Sequence, residues 1–222
     1  MRVQQIAEMN KMIAKLSEKA GLRRIPGLLI SKNERFASVN VFQFRIFVGE
    51  NLLSFWALGK FSKEDVEATI AHEIGHLMDF RRGSLSSSFR NQILESAWFV
   101  CGLVPLVICM LVPSDLVFQL SVGFAFGWGV SIPWLIRRFE AKIEFEADKN
   151  AALYLVEPGH LAIALAKIKT LTIPIKGFSL SGGITGFAGM LTHPSFDDRI
   201  SRLNSLSQLG LTLIRLWETR SF

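Results

Sequence analysis

The chain has 222 residues, enough for one domain with a full core or for a small domain plus membrane segments. Half of its residues are apolar and the mean hydropathy is +0.33, high for a chain that works wholly in water. The net charge of +6 lies in pairs such as Arg23-Arg24, Arg81-Arg82 and Arg137-Arg138, two of them flanking the most apolar region, which argues against a nucleic-acid partner and for a membrane surface.

Residues 2–20 predict an amphipathic helix that packs on the domain. Val3, Ile6, Met9, Ile13 and Leu16 recur at three- and four-residue steps, and Gly21 is placed to end the helix. The charges along Met1 to Leu22 leave no apolar core for a secretory signal. Gly27 to Lys32 reads as a short strand, followed by a polar turn at Asn33-Glu34-Arg35. Val41 to Val48 reads as a second strand ending at Gly49, with Phe42, Phe44, Ile46 and Val48 on one face. An open edge on this strand would offer a peptide backbone a partner, whereas a plain core strand would not.

Ser62 is an N-cap with an acid, Asp65, three residues on, so a helix should run from there to about Arg82. Its apolar stripe is Val66, Ile70, Ile74 and Leu77. His72 and His76 lie about 200° round from members of that stripe, on one face and a turn apart, so both imidazoles can converge on one ion. Glu73, directly after His72, can then reach a water at that ion. This is the zinc-peptidase pattern H-E-x-x-H, in which the spacing carries the mechanism. Asp79 shares the histidine face and is expected at an exposed helix end, the alternative being a place behind the metal ligands.

After the small polar linker Gly83 to Ser88, no charge occurs between Glu95 and Asp115, nor between Asp115 and Arg137; these gaps hold 19 and 21 residues. Each spans roughly 30 Å as a helix, about one hydrocarbon core. With Pro113-Ser114-Asp115 as the turn, the expectation is a two-helix transmembrane hairpin over 95–136. Arginines precede and follow it while the turn has none, which places both flanks on the cytoplasmic side of the cell membrane. Cys101 and Cys109 fall in one of the apolar stretches, eight apart, and read as small apolar helix residues that cannot bridge one another.

Arg137 to Val156 reads as helical, and Pro158 opens a further helix to about Leu171. Residues 172–192 are glycine-rich and read as a flexible loop. Pro194 opens a helix through Leu206, and 211–218 makes one more short helix. His160, at a helix start, is expected on the surface. The organisation is thus 1–94 for the N-terminal part of the catalytic domain, 95–136 for the hairpin, and 137–222 for the C-terminal helical part.

A hydrolytic zinc site needs a third protein ligand. The carboxylates Glu140, Glu144, Glu146 and Asp148 cluster on the helix after the hairpin. Glu144 and Asp148 share a face, so one could bind metal while the other orients a histidine. Chemistry alone does not separate Glu140 from Glu144.

The chain resembles the membrane-embedded zinc endopeptidases of the HtpX and CAAX-prenyl-protease type. These carry H-E-x-x-H, then membrane spans, then E-x-x-A-D, then H-P followed by an arginine. Here the three motifs are His72-Glu73-Ile74-Gly75-His76, Glu144-Phe145-Glu146-Ala147-Asp148, and His193-Pro194 with Arg199. Phe36-Ala37-Ser38 takes the place of the family's Asn-Ala-Phe element beside the substrate edge. The resemblance implies a mainly α fold with a small β-sheet (α+β), a zincin-like gluzincin domain with the inserted hairpin. It implies Zn²⁺ held by His72, His76 and Glu144, with Asp148 behind a ligand and Glu146 at the surface. Glu73 would be the general base, His193 would hydrogen-bond the oxyanion, and the substrates would be membrane or misfolded polypeptides. The alternative is a catalytically silent zinc-binding membrane scaffold that holds polypeptides without cutting them.

Overall fold

The computed structural model describes residues 2–34, 36–81, 114–172 and 194–218, with isolated helical residues between 104 and 111. The chain divides into two compact units. One comprises Met1–Ser84, Glu144–Gly177 and Ser195–Phe222; the other comprises Leu85–Ile143 and Phe178–Pro194.

In the first unit, helix α1 (Arg2–Lys19) buries Met9, Ile13 and Leu16 and leaves Val3 exposed at its frayed start. Gly21 ends it as expected. It adopts φ 62°, its N–H bonds Glu18 O, and the next N–H, of Leu22, bonds Ser17 O. That is the 5→2 and 6→1 pair of a Schellman motif, which a residue without Cβ enters at least cost.

Three strands follow: β1 (Gly27–Ser31), β2 (Ala37–Asn40) and β3 (Arg45–Gly49), in the order β1-β3-β2. β1 runs parallel to β3 and β2 antiparallel to it, with Val39 opposite Ile46. The expected strand over 41–48 is therefore shorter and is preceded by a hairpin turn. Asn40 Oδ1 accepts the N–H of Gln43 at 2.9 Å and Phe44 takes φ 54°, which turns the chain where the alternating phenylalanines suggested extension. Phe42 consequently stays exposed, edge-on to Phe80. Of the two readings left open for this strand, the structure shows the plain core one: β3 is central and paired on both sides, and among the described residues the sheet's edges belong to β1 and β2.

Helix α2 (Glu50–Ala57) has no counterpart in the sequence reading and buries Leu52 and Leu53. Helix α3 (Lys63–Arg81) starts at the foreseen cap. Asp65 N–H donates to Ser62 Oγ, and Ser62 N–H donates to Asp65 Oδ2 at 2.7 Å, a reciprocal capping box. Its stripe Val66, Ile70, Ile74 and Leu77 is buried, and the first three join residues of α1, β3 and α2 in a core that also takes in later segments.

Helix α4 (Asp115–Asn150) joins what was expected as a membrane segment and a separate later helix. Its residues from Glu144 onward belong to the first unit. It ends in a π turn, Ala151–Leu155, closed by Val156 N–H on Ala151 O, which turns Ala151, Ala152 and Leu155 into the core. Helix α5 (Pro158–Thr172) starts at its proline as expected, with His160 exposed. The two short C-terminal helices are one, α6 (Phe196–Glu218).

In the second unit, the start of α4 carries Leu116, Phe118, Leu120, Phe124 and Phe126, all at least half exposed. Among the described residues no helix is long and apolar enough to cross a membrane. Nearly all of the first expected span, the 172–192 loop and His193 lie outside the described residues.

Candidate metal centre

α3 presents His72 and His76 on one face, and α4 presents Glu144 and Asp148, again one turn apart. Among the described residues, His72, His76 and Glu144 form a group whose ligand atoms all lie within 4.8 Å of one another. His72 Nε2 is 3.2 Å from His76 Nε2 and 3.3 Å from Glu144 Oε2, and His76 Nε2 is 3.6 Å from Glu144 Oε1. Tetrahedral zinc, with bonds of about 2.0–2.1 Å, spaces its ligand atoms about 3.4 Å apart. Two imidazoles and one carboxylate at these separations fit that ion. Of Glu140 and Glu144, it is Glu144 that lies in the group.

Behind the group lies a second layer. Asp148 Oδ1 is 2.9 Å from His72 Nδ1, which holds the ring with Nε2 toward His76 and Glu144, while Arg199 Nη2 lies 3.2 Å from Nδ1 and 3.3 Å from Nε2. Arg199, from the first turn of α6 and 8% exposed, grips Asp148 through Nε and Nη2, both at 2.7 Å. Its Nη1 lies 3.0 Å from Glu144 Oε2. One guanidinium thus ties two buried carboxylates from α4 to a third segment of the chain, in the bidentate geometry to which arginine is suited.

Sequence reasoning quoted Arg199 only as part of a motif and gave it no role. Charge balance could have supplied one. Two buried carboxylates beside two histidines call for a permanent cation, and an arginine is the residue that cannot lose its charge. Asp79, expected at an exposed helix end, is half-buried and accepts Asn150 Nδ2 at 2.7 Å, linking α3 to the last turn of α4. Glu146 pairs loosely with Lys149 at the surface, as expected.

Burial and charge set the protonation of the group. Burial, then the Arg199 charge, work against a proton on His72, but Asp148 and Glu144 outweigh them and push its pKa up to about 10. Burial pulls His76 down to about 4 despite the Glu144 charge. Burial also raises Glu73, to about 7, with Glu144 adding to the effect and His72 and Arg199 opposing it. Glu144 is held well below the usual carboxylate range, because the histidines and Arg199 overcome its burial. Neighbouring carboxylates are thus split, one kept ionised and one poised near neutrality, as acid–base chemistry requires.

Residues 4–207 match the sequence profile of Peptidase family M48. The chain is 27% identical over 212 residues to a "Protease HtpX homolog" of Janthinobacterium sp. (strain Marseille), covering 87% of this chain and 70% of that protein. It is 26% identical over 169 residues to a "Protease HtpX" of Ectopseudomonas mendocina (strain ymp), covering 67% and 56%. It is 28% identical over 180 residues to a "Protease HtpX homolog 2" of Methanosarcina mazei, covering 68% and 56%. No solved structure matches. The profile spans the helices that carry His72, Glu144 and Arg199 alike, so the chain belongs to peptidase family M48 and is a metallopeptidase.

Proposed function

We propose that the chain is a zinc-dependent endopeptidase anchored in the cell membrane, with its catalytic part cytoplasmic and membrane or misfolded polypeptides as substrates. The observation that carries the chemistry is the convergence of His72, His76 and Glu144 at tetrahedral spacing with Glu73 next to them in sequence. When bound there, zinc supplies Lewis acidity and draws the pKa of water toward about 7. His72, His76 and Glu144 hold the ion. Glu73, buried and directly after His72, takes a proton from the attacking water and delivers it to the leaving amine. Asp148 keeps the His72 ring in one orientation, and Arg199 keeps Asp148 in place. His193 is proposed as the hydrogen-bond partner of the developing oxyanion.

The membrane reading is supported by the two uncharged stretches, by the arginines on both flanks, and by the exposed apolar side chains of α4 between Leu116 and Phe126. Substrate backbone would pair with a free edge, and β2 is the candidate because it neighbours α3 in the packing.

The reading is tested with purified protein in detergent. About one zinc per chain should be found by elemental analysis, and β-casein or a membrane protein should be cleaved. Glu73→Gln should keep the zinc and lose cleavage by about a hundredfold or more. Equal cleavage by both proteins, or a chain without zinc, would overturn it.

A further inference from the structure

The two helices of the metal group come into close main-chain contact at Gly75. A Cβ added at Gly75 would meet Ala147 O at 2.4 Å and Ala147 C and Cα at 3.1 Å. No side-chain movement relieves such a clash, because the atoms met are backbone. The location is what gives the contact meaning. Gly75 stands three residues after His72 and one before His76, and Ala147 stands three after Glu144 and one before Asp148. This tight contact between α3 and α4 therefore falls within one turn of all four residues, at the same offset on each helix. Ala147 is fully buried there.

We infer that Gly75 is a positioning residue: its missing Cβ sets the α3–α4 spacing at which Glu144 completes the ligand set with His72 and His76. An ordinary contact begins near 3.4 Å, so any side chain at 75 must push the main chains apart by about 1 Å. Metal sites tolerate errors of about 0.2 Å in their ligand distances. The displacement exceeds that several-fold, and it falls on the one ligand that comes from the other helix. The two histidines, both on α3, keep their mutual spacing. Glycine is otherwise costly in a helix interior, by about 1 kcal/mol against alanine, which is the disadvantage that this role offsets.

The inference rests on the metal reading of the site, and the experiment separates the two. Zinc affinity of the full chain is measured by competition with a chromophoric chelator for the wild type, Gly75→Ala and Gly159→Ala. The last places its Cβ in open space and is the control. Cobalt absorption reports whether the ligand set is complete, and chemical unfolding without metal reports stability separately. Gly75→Ala should lose zinc affinity about tenfold or more and weaken the tetrahedral cobalt bands, while Gly159→Ala matches the wild type. If Gly75→Ala binds zinc like the wild type and only unfolds more easily, the contact is merely structural and the inference is overturned. A wild type that takes up no zinc overturns the metal reading, and the inference with it. Ala147→Gly decides the matter even where Gly75→Ala does not fold. The approach uses main-chain atoms at 147, so that variant should stay within about threefold of the wild-type affinity. A loss as deep as tenfold would assign the spacing to the alanine side chain and overturn the inference.

Discussion

Glu73 joins two demands that pull in opposite directions. Its carboxyl is buried, 6% exposed, and raised from the ordinary 4.5 to about 7. Between those values the folded, metal-free protein keeps a proton that the unfolded chain has released. The stability linked to this group is therefore complete below pH 4.5 and is lost as the pH rises through 7. Glutamine carries no such penalty. Glu73→Gln should make the metal-free protein more stable at pH 8, by up to about 3 kcal/mol, with little gain at pH 4.5. Urea unfolding at the two pH values checks this, and a variant less stable than the wild type at pH 8 would count against it. At this scale helical spacing made two pairings legible, His72 with His76 and Glu144 with Asp148. Arg199 was not legible in the same way. Its partners lie 51 and 55 positions away, and only the fold brings them together.

Among the elements, α3 is the best specified, and its start shows why. Ser62 and Asp65 exchange hydrogen bonds across the first turn, and the buried Asp65 also receives Lys167 from α5. The two cap residues should therefore differ in weight. Ser62→Ala removes one bond and should cost about 1 kcal/mol. Asp65→Ala also leaves Lys167 without its partner and should cost about 2–4 kcal/mol. Denaturant titration of the two variants measures both, and equal losses would show that the Lys167 contact adds nothing. The cap was legible because its chemistry is local. The β2–β3 hairpin was not. Val41 to Phe44 has the composition of a strand, yet the Asn40 side chain and the positive φ of Phe44 turn it. Side-chain competition for backbone groups outweighed the alternating pattern there.

For the whole molecule, composition pointed to the bilayer before any fold was known, and it did so through where charge is missing. The leucines and phenylalanines near the start of α4 are exposed, but no helix among the described residues is long and apolar enough to span. The expected behaviour is that the full chain pellets with membranes after an alkaline carbonate wash and is released by detergent. Recovery in the carbonate supernatant would remove the hairpin from the proposal. The α+β class was legible in outline, with helices on both sides of one small sheet segment. The joining of segments into α4 and α6 was not, since a long helix and two short ones share the same periodicity.

The group around His72 is assembled from three distant parts of the chain: α3, the end of α4, and the first turn of α6 at Arg199. A ribosome that has made α3 has made only two of the three members of the group, and the guanidinium that braces them emerges last. A partly synthesised chain thus carries the histidines without the means to cut. Assembly must wait for pairings far apart in sequence, which form late in folding. The order of the segments alone keeps the group incomplete until Arg199 has been made.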